Sequence, residues 1–200
     1  MTRLVLASAS PRRRELLVRV GMRVEVRAVE IDERAHEGES PVDYVMRLAR
    51  DKARAVTRHA SEWVLAADTT VTLDGMILGK AESSKEASKM LRWLSGRTHQ
   101  VLTAFALIGQ RGEQTVVREG VVTTDVTMIE LADSTLADYV ASGEWQGKAG
   151  AYAIQGIAAA LVREIRGSVT NVIGLPLAEV LSALRDADGP LPQFAAGTPS

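Results

Sequence analysis

A cluster of cations stands where the sequence predicts the start of a helix. In the stretch "LASASPRRRELL", Ser10 followed by Pro11 is typical of a helix N-terminus, with Ser as N-cap and Pro at the first helical position. Arg12, Arg13 and Arg14 then occupy the first turn, where the helix dipole is positive and acidic residues are preferred. Solvent can screen such charges, at a cost of about 0.3–1 kcal/mol each. Alternatively, a bound polyphosphate turns the repulsion into attraction, and these residues alone do not separate the two interpretations.

Two acids and two lysines elsewhere in the chain could serve the same anion. Asp68 follows the apolar segment "WVLAA", where we expect a buried strand to end; Glu33 lies in a polar loop. Lys52 stands in "RLARDKARAV" and Lys80 in "ILGK". Each also has an ordinary explanation. Asp68 could be a turn former and Glu33 a solvated carboxylate, and the two lysines could be exposed cations of a helix and of a loop. Together they supply cations for phosphates and acids for a divalent ion or for water, which is what phosphoryl chemistry needs.

Several familiar kinds of site are excluded by the sequence. It contains no GxxxxGK[ST] P-loop, no GxGxxG that opens a helix after the first strand, and no GxSxG nucleophile elbow. Cys is absent, so disulfides, thiolate catalysis and Cys-ligated metals are excluded. The three histidines, His36, His59 and His99, are too scattered to indicate a metal cluster.

The composition is that of an ordinary globular domain. The chain has 200 residues, of which 46% are hydrophobic and 24% charged, and its net charge is −1. Because no global positive field exists, we expect no nucleic-acid partner, and the arginine cluster is a weak footprint for one. No segment reads as a signal peptide or approaches the ~20 apolar residues of a membrane span, so we expect a cytoplasmic protein with no membrane partner.

The order of predicted elements indicates an α/β fold with a mixed sheet, because helices and strands alternate around a long antiparallel stretch. Asp74–Gly75 is a hairpin signal. The tail from residue 187 onward is rich in Pro, Gly and Ala, which predicts flexibility. The predicted strands are 4–7, 22–29, 63–71, 98–108, 113–128 and 159–165, and the predicted helices are 11–20, 41–59, 83–94, 133–141 and 176–186.

Five segments in order resemble the Maf family of nucleoside triphosphate pyrophosphatases, once described as septum-formation inhibitors. They are "LASASPRRRELL", "YVMRLARDKA", "AADTTVTLDGMILGKA", "MLRWLSGRTHQVLTA", and "GKAGAYAIQG" with "GSVTNVIGLPL". The resemblance extends from about residue 3 to 185 and implies a single inosine-triphosphatase-like domain over residues 1–186, followed by the tail 187–200. That fold is an elongated mixed sheet with two lobes and a central cleft. The implied reaction cleaves the α–β phosphoanhydride of a nucleoside triphosphate with Mg²⁺ or Mn²⁺, in a homodimer.

The resemblance also implies roles for individual residues. Asp68 matches the family's proton acceptor, and Glu33 matches an acid that helps to hold metal or water, so Glu33 and Asp68 are the candidate metal ligands. Ala81 stands where the family usually has Pro, which predicts a more flexible loop around Lys80. The positions that match phosphate-contacting residues are Ser8, Arg13, Lys52 and Lys80.

Three positions separate substrate branches in the family. The branch that acts on dTTP and UTP has Arg, Thr and Gln where this chain has Arg12, Thr69 and Gln155; the branch that acts on 7-methyl-GTP has Trp, Gln and Glu. A Gln amide can both donate to and accept from the O4/N3–H edge of thymine or uracil. We therefore expect hydrolysis of dTTP, UTP and modified pyrimidine nucleotides, which would limit incorporation of unwanted nucleotides into nucleic acids. The alternatives are a nucleotide-binding regulator of cell division with little turnover, and a 7-methyl-GTP pyrophosphatase.

Overall fold

The computed structural model describes residues 2–193, and a seven-stranded mixed sheet runs through it in the order β2-β1-β3-β5-β6-β7, with β4 paired to β3. The strands are β1 Arg3–Leu6, β2 Val24–Val26, β3 Glu62–Leu73, β4 Met76–Leu78, β5 Thr98–Arg111, β6 Gln114–Met128 and β7 Val162–Arg166. The helices are α1 Pro11–Arg19, α2 Pro41–Ala55, α3 Ser84–Leu94, α4 Asp133–Ala141, α5 Val169–Ile173 and α6 Leu177–Asp186, with a 3₁₀ helix at Ile157–Leu161.

The sheet mixes two kinds of pairing. β1 pairs in parallel with both β2 and β3, whereas β3–β5, β5–β6 and β6–β7 are antiparallel. The predicted α/β mixed sheet is confirmed, and so is its long antiparallel centre. A two-residue turn with Gly112 at φ +60° joins β5 to β6, which is the left-handed conformation that such hairpin turns require at their first position.

Three apolar clusters hold the molecule together. Leu4 and Leu65 point to one face of the sheet, where they pack with α1 and α6, and the alternate residues Val5 and Val64 pack with α2 on the other face. The third cluster lies at the far end of β3 and β5, around Leu91 of α3, and includes α4 and the 3₁₀ helix. The third cluster forms a second lobe beside the first two.

A gap in the sheet separates the lobes. β1 pairs with β3 only as far as Leu65, and β4 pairs with it only from Val71 onward. Within the described part of the chain, residues 66–70 of β3 therefore have β5 on one side and no strand on the other. An unpaired strand edge between two lobes is a place where a ligand can approach the backbone.

Several predicted elements have different bounds. The strand expected at 22–29 is only Val24–Val26, because β2 is an edge strand bonded to β1 alone, and α2 ends at Ala55 rather than near residue 59. The first half of the strand expected at 159–165 is the 3₁₀ helix, whose three consecutive alanines have little strand propensity. The short helix α5 was not predicted, because its composition, "VTNVI", is typical of a strand.

The end of the described chain packs against the first lobe. Ala187 is buried, and the backbone N–H of Gln193 donates to the carbonyl of Gly21. The predicted flexible tail falls partly on residues 194–200, which lie outside the described residues. Between residues 2 and 193, no helix combines the length and the apolar character needed to cross a membrane.

Candidate functional site

A cleft of about 560 Å³ opens at the gap in the sheet, between the two lobes. Its volume is typical of a small-molecule site. Its walls are the segment that follows β1, the N-terminus of α1, the central part of β3, the loop after β4 and the glycine-rich segment around residues 146–155. It is lined by all nine residues to which the family resemblance gives a catalytic, phosphate-binding or specificity role: Ser8, Arg12, Arg13, Glu33, Lys52, Asp68, Thr69, Lys80 and Gln155.

Asp68 lies in the interior of β3, so the expectation that the predicted strand 63–71 reaches its polar end at this residue was wrong. The strand continues to Leu73, and Asp68 pairs with Ala104 of β5. Because side chains alternate along a strand, Asp68 faces α2 whereas the next residue, Thr69, faces α1. One strand thus presents two neighbouring polar groups to two different helices, both beside the unpaired edge.

On the α2 side, one lysine joins the two acids. Lys52 Nζ lies 2.6 Å from Asp68 Oδ1 and 2.7 Å from Glu33 Oε1. Only 10% of the Lys52 side chain and 12% of the Asp68 side chain are exposed. α2 positions this lysine because it packs its apolar stripe, including Val45 and Ala49, against β3 and β5. A mid-strand carboxylate is tolerated here because a buried cation pairs with it.

Glu33 is the more exposed of the two acids. Burial raises its pKa, but the hydrogen bond and charge of Lys52, with a further contribution from Lys80, outweigh that effect and lower it overall. The loop that carries Glu33 is held to α2 by the hydroxyl of Tyr44, which donates to the Glu33 carbonyl at 2.9 Å. Glu33 is therefore ionised at neutral pH and fixed at the cleft wall.

On the α1 side, Arg13 is held by neutral acceptors. Its Nη1 donates to Ser8 Oγ at 2.9 Å, its Nη2 to Thr69 Oγ1 at 3.0 Å and its Nε to the Gly174 carbonyl at 2.7 Å. Burial lowers the pKa of Arg13, and the nearby charge of Asp68 partly opposes this. A guanidinium has five N–H groups, so the fork fixes three segments and keeps donors for an anion.

The other first-turn arginines behave differently from each other. Arg12 is half-buried in the cleft wall, and burial lowers its pKa. Arg14 is exposed and does not line the cleft. Of the three arginines considered as anion ligands, only Arg12 and Arg13 therefore line the cleft. Ser10 is at the N-cap position, but its side chain makes no capping hydrogen bond; the backbone N–H of Ser10 instead donates to Ser8 Oγ at 3.2 Å.

Lys80 stands opposite α1, in the second lobe. Its backbone forms an isolated antiparallel bridge with Ala149, and its ammonium lies 3.5 Å from Glu33 Oε2. The side chain is 61% exposed, which leaves it free to move toward a ligand. Ala81, where the resemblance implies Pro, is buried next to this bridge, and the expected flexibility of the loop stays a prediction.

The three specificity positions have unequal freedom. Gln155 is exposed at the cleft and has no hydrogen-bond partner among the described residues, so its amide is available to a ligand. The hydroxyl of Thr69, in contrast, contacts Arg13 and lies 2.9 Å from Thr103 Oγ1. Thr69 is thus placed to act through Arg13, while Gln155 and Arg12 can contact a ligand directly.

Sequence reasoning missed a cation in the glycine-rich segment. Lys148 lines the cleft, its Nζ donates to the Gln146 carbonyl at 3.1 Å, and burial together with the charge of Arg12 lowers its pKa. Arg12 and Lys148 therefore line the same cleft. The sequence "GKAGAY", with a lysine between two nearby glycines, is compatible with a ligand-binding loop. A single loop lysine, however, is more often an exposed surface residue, so the sequence alone does not identify it as a site residue.

A buried polar network behind the cleft was also missed. The hydroxyl of Thr103 donates its one hydrogen to the Asn171 carbonyl at 3.0 Å, so in its 2.9 Å contact with the Thr69 hydroxyl it accepts. The Asn171 amide in turn donates to the Val101 carbonyl at 2.9 Å. The network connects the strand that carries Asp68 and Thr69 to α5, and no sequence spacing relates these distant residues.

Comparisons with known proteins agree with the motifs. The family described as "Maf-like protein" matches residues 3–187. A dTTP/UTP pyrophosphatase of Anaeromyxobacter dehalogenans strain 2CP-1 is 52% identical over 190 residues, which are 95% of this chain and 96% of that protein. One of Myxococcus xanthus is 52% identical over 192 residues, 96% of this chain and 95% of its own length. Among solved structures, the Staphylococcus aureus Ham1 protein is 18% identical, with 63% of this chain and 72% of that chain covered and a TM-score of 0.40.

Proposed function

Since this chain belongs to the Maf family, we propose that it is a nucleoside triphosphate pyrophosphatase that hydrolyses dTTP and UTP to the nucleoside monophosphate and pyrophosphate. The names of its relatives, which are about half identical over nearly the whole chain, support the substrate class. The structural observation that carries the proposal is that Arg13 and Asp68 line one cleft. Arg13 of α1 binds Thr69 on one face of β3, and Asp68 points from the other face toward α2.

The cleft is suited to a triphosphate because its charge is local and positive. Five cations line it against two carboxylates, although the whole chain has a net charge of −1: Arg12, Arg13, Lys52, Lys80 and Lys148 against Glu33 and Asp68. The N-terminus of α1 adds backbone N–H groups and the positive end of the helix dipole. Arginine forks and lysine ammonium groups stabilise phosphoryl oxygens, and more so in a partly desolvated cleft.

Asp68 is the proposed proton acceptor. Lys52 holds its Oδ1, and among residues 2–193 no hydrogen bond engages Oδ2. In the proposed step, a water oxygen attacks at the α–β phosphoanhydride, its proton passes to Asp68 Oδ2, and the P–O bond to pyrophosphate breaks. The cations would stabilise the charge that develops on the leaving pyrophosphate.

The donor set fits a divalent ion that is bound largely by the substrate. No group of three potential metal-ligating side chains occurs among the described residues. Mg²⁺, however, is commonly held by one or two carboxylates together with substrate phosphates, and Glu33 and Asp68 supply two carboxylates at one lysine. When bound, Mg²⁺ or Mn²⁺ would neutralise phosphate charge and lower the pKa of water.

Gln155 is the proposed reader of the base. Its exposed amide presents both a donor and an acceptor to the cleft, which matches the N3–H and O4 edge of a pyrimidine. Arg12 remains a cation beside the nucleotide instead of an aromatic ring that stacks on a purine. The Maf resemblance further supports a homodimer, and the cytoplasmic location expected from the sequence also belongs to this proposal.

A substrate panel with product identification tests the reaction. The purified protein is incubated with Mg²⁺ or Mn²⁺ and dTTP, UTP, CTP or 7-methyl-GTP. We expect dTTP and UTP to be converted fastest, with equal amounts of monophosphate and pyrophosphate. Release of orthophosphate would contradict cleavage at the α–β bond, faster turnover of 7-methyl-GTP would contradict the pyrimidine assignment, and binding without turnover would favour a nucleotide-binding regulator.

A further inference from the structure

One edge of β6 is open over most of its length. β6 runs from Gln114 to Met128, and β7 pairs only with its last part, from Asp125 onward. Within residues 2–193, no strand pairs with the same edge of residues 114–124, although β5 pairs with their other edge without interruption. A long strand edge with unpaired N–H and C=O groups is a template for another strand.

The hairpin geometry tells which residues face that edge. The two-residue turn at residues 112 and 113 closes on the pair Arg111–Gln114. Such a turn closes on a mutually hydrogen-bonded pair, and hydrogen-bonded pairs alternate along an antiparallel ladder. Even-numbered residues of β6 therefore bond to β5, and the odd-numbered residues 115, 117, 119, 121 and 123 direct their N–H and C=O groups to the open edge.

The same residues form a palindrome. The segment "TVVREGVVT", residues 115–123, is centred on Glu119. The residues next to the centre, Arg118 and Gly120, differ, but beyond them the sequence continues as Val, Val, Thr in both directions. Two of its members, Val117 and Val121, are 45% and 36% exposed. The segment contains no Pro, no Lys and no bulge, which are common protections of edge strands.

We propose that a second copy of this chain pairs with this edge in an antiparallel ladder centred on Glu119. In that register Thr115 lies opposite Thr123 of the second copy, and Val117 lies opposite its Val121. The contact is isologous, as a two-fold dimer requires, because residues 115 and 117 of each copy lie opposite residues 123 and 121 of the other. The palindrome makes these opposed pairs Thr–Thr and Val–Val. The inference rests on the homodimer part of the proposed function and is independent of the chemistry in the cleft.

The charge at the centre of the contact is compensated. Two bare carboxylates opposite each other would repel. Glu119, however, binds Arg50 of α2 at 2.7 Å, so the two-fold axis would bring together two ion pairs of zero net charge. Five odd-numbered residues on each copy would exchange about ten backbone hydrogen bonds, which is typical of a specific protein–protein interface.

Sedimentation of charge variants tests whether this edge forms the dimer. We expect the wild type to sediment as a dimer and the double variant Val117→Lys/Val121→Lys to sediment as a monomer with an unchanged circular dichroism spectrum. The control is Val26→Lys, which places a lysine at a valine that is 42% exposed on the opposite edge of the sheet and should leave the dimer intact. A monomeric wild type, or a dimeric double variant, would overturn the proposal whether or not dTTP is hydrolysed.

Single cysteines test the register, because the chain has no Cys of its own. Under mild oxidation, Glu119→Cys should form a covalent dimer. Thr115→Cys should not, because in this register the two positions are about 27 Å apart along the ladder. Thr115→Cys/Thr123→Cys should crosslink again, and this variant keeps the Arg50–Glu119 pair, so it controls for loss of that contact. Crosslinking of Thr115→Cys alone, or of neither of the other two variants, would contradict the register.

Discussion

The two sides of β3 hold their cations in opposite ways. On the α1 side, the Arg13 guanidinium binds two hydroxyls and a carbonyl, none of which cancels its charge. On the α2 side, the Lys52 ammonium lies between two carboxylates, and its charge is more than balanced. Arg13 is therefore equipped to attract phosphate, whereas Lys52 is equipped to position acids. In the proposed function, the alternation of side chains along β3 therefore separates phosphate binding on one side from proton transfer on the other.

The largest effect should follow from removing the cation on the α2 side. Lys52→Met leaves the buried Asp68 without its ion-pair partner, and leaves Glu33 with only the exposed Lys80 nearby among the described residues. Since losing one member of a buried ion pair costs about 3–5 kcal/mol, we expect a loss of about 3 kcal/mol in the free energy of unfolding, together with loss of turnover. Urea unfolding and dTTP assays measure both. The control is Arg54→Met, which removes an exposed cation from the same helix and should change neither.

A smaller effect should follow on the α1 side, and it should appear in substrate binding. Arg13→Lys keeps the positive charge but loses the fork that binds Ser8 and Thr69. We expect KM for dTTP to rise about 30-fold, equivalent to about 2 kcal/mol, with a smaller fall in kcat. The control is the exposed neighbour in Arg14→Lys, for which kinetics should match the wild type. Equal losses in both variants would mean that the arginines act only as a diffuse positive field.

Thr69 should have a still smaller effect that passes through Arg13. Thr69→Val removes the hydroxyl that lies between Arg13 and Thr103, and the loss of a hydrogen bond of about 1 kcal/mol should raise KM about fivefold. Thr69→Ser keeps the hydroxyl and should restore the wild-type value. Failure of Ser to rescue would show that the methyl group, and not the link to Arg13, is what the site needs.

The smallest effect concerns the pH dependence of stability. Because the pKa of Glu33 is lowered in the folded protein, its ionised contacts stabilise the fold above the ordinary value of 4.5 and are lost as pH falls through the lowered value. Glu33→Gln cannot gain this contribution. We expect the variant to have a lower Tm than the wild type at pH 7 and the two Tm values to converge as the pH falls below 4.5 and through the lowered pKa of Glu33. A constant difference across this range would contradict the ionic origin.

The residues of the cleft were predictable because they are charged residues at positions where the helix and strand patterns do not require a charge. Arginines at a positive helix end are one example, and the acid after "WVLAA" is another. The position of Asp68 inside β3 was not predictable, because a run of polar residues after an apolar one is typical of a strand end. The strand continues through this region because β5 pairs with it from Val64 to Thr72, and Lys52 of α2 pairs with the buried carboxylate. Both contacts join residues that are distant in the sequence.

A run of identical residues in a helix does not predict which of their side chains faces the site. Three consecutive arginines differ by about 100° each around the axis, so they cannot all face one cleft. Arg12 and Arg13 line it and Arg14 does not, but the run itself contains no information about which. Helix α5 was missed for the opposite reason, since Ser168 caps it through Asn171 while its β-branched residues indicate a strand.

The division of labour along β3 is tested most directly by Asp68→Asn. The change keeps the size of the side chain and removes the proton acceptor, so kcat for dTTP should fall about 10³-fold or more while the Kd for dTTP, measured by calorimetry, stays within a few-fold of the wild type. Near-normal turnover in this variant would contradict the assignment of Asp68 as the group that accepts the proton from water.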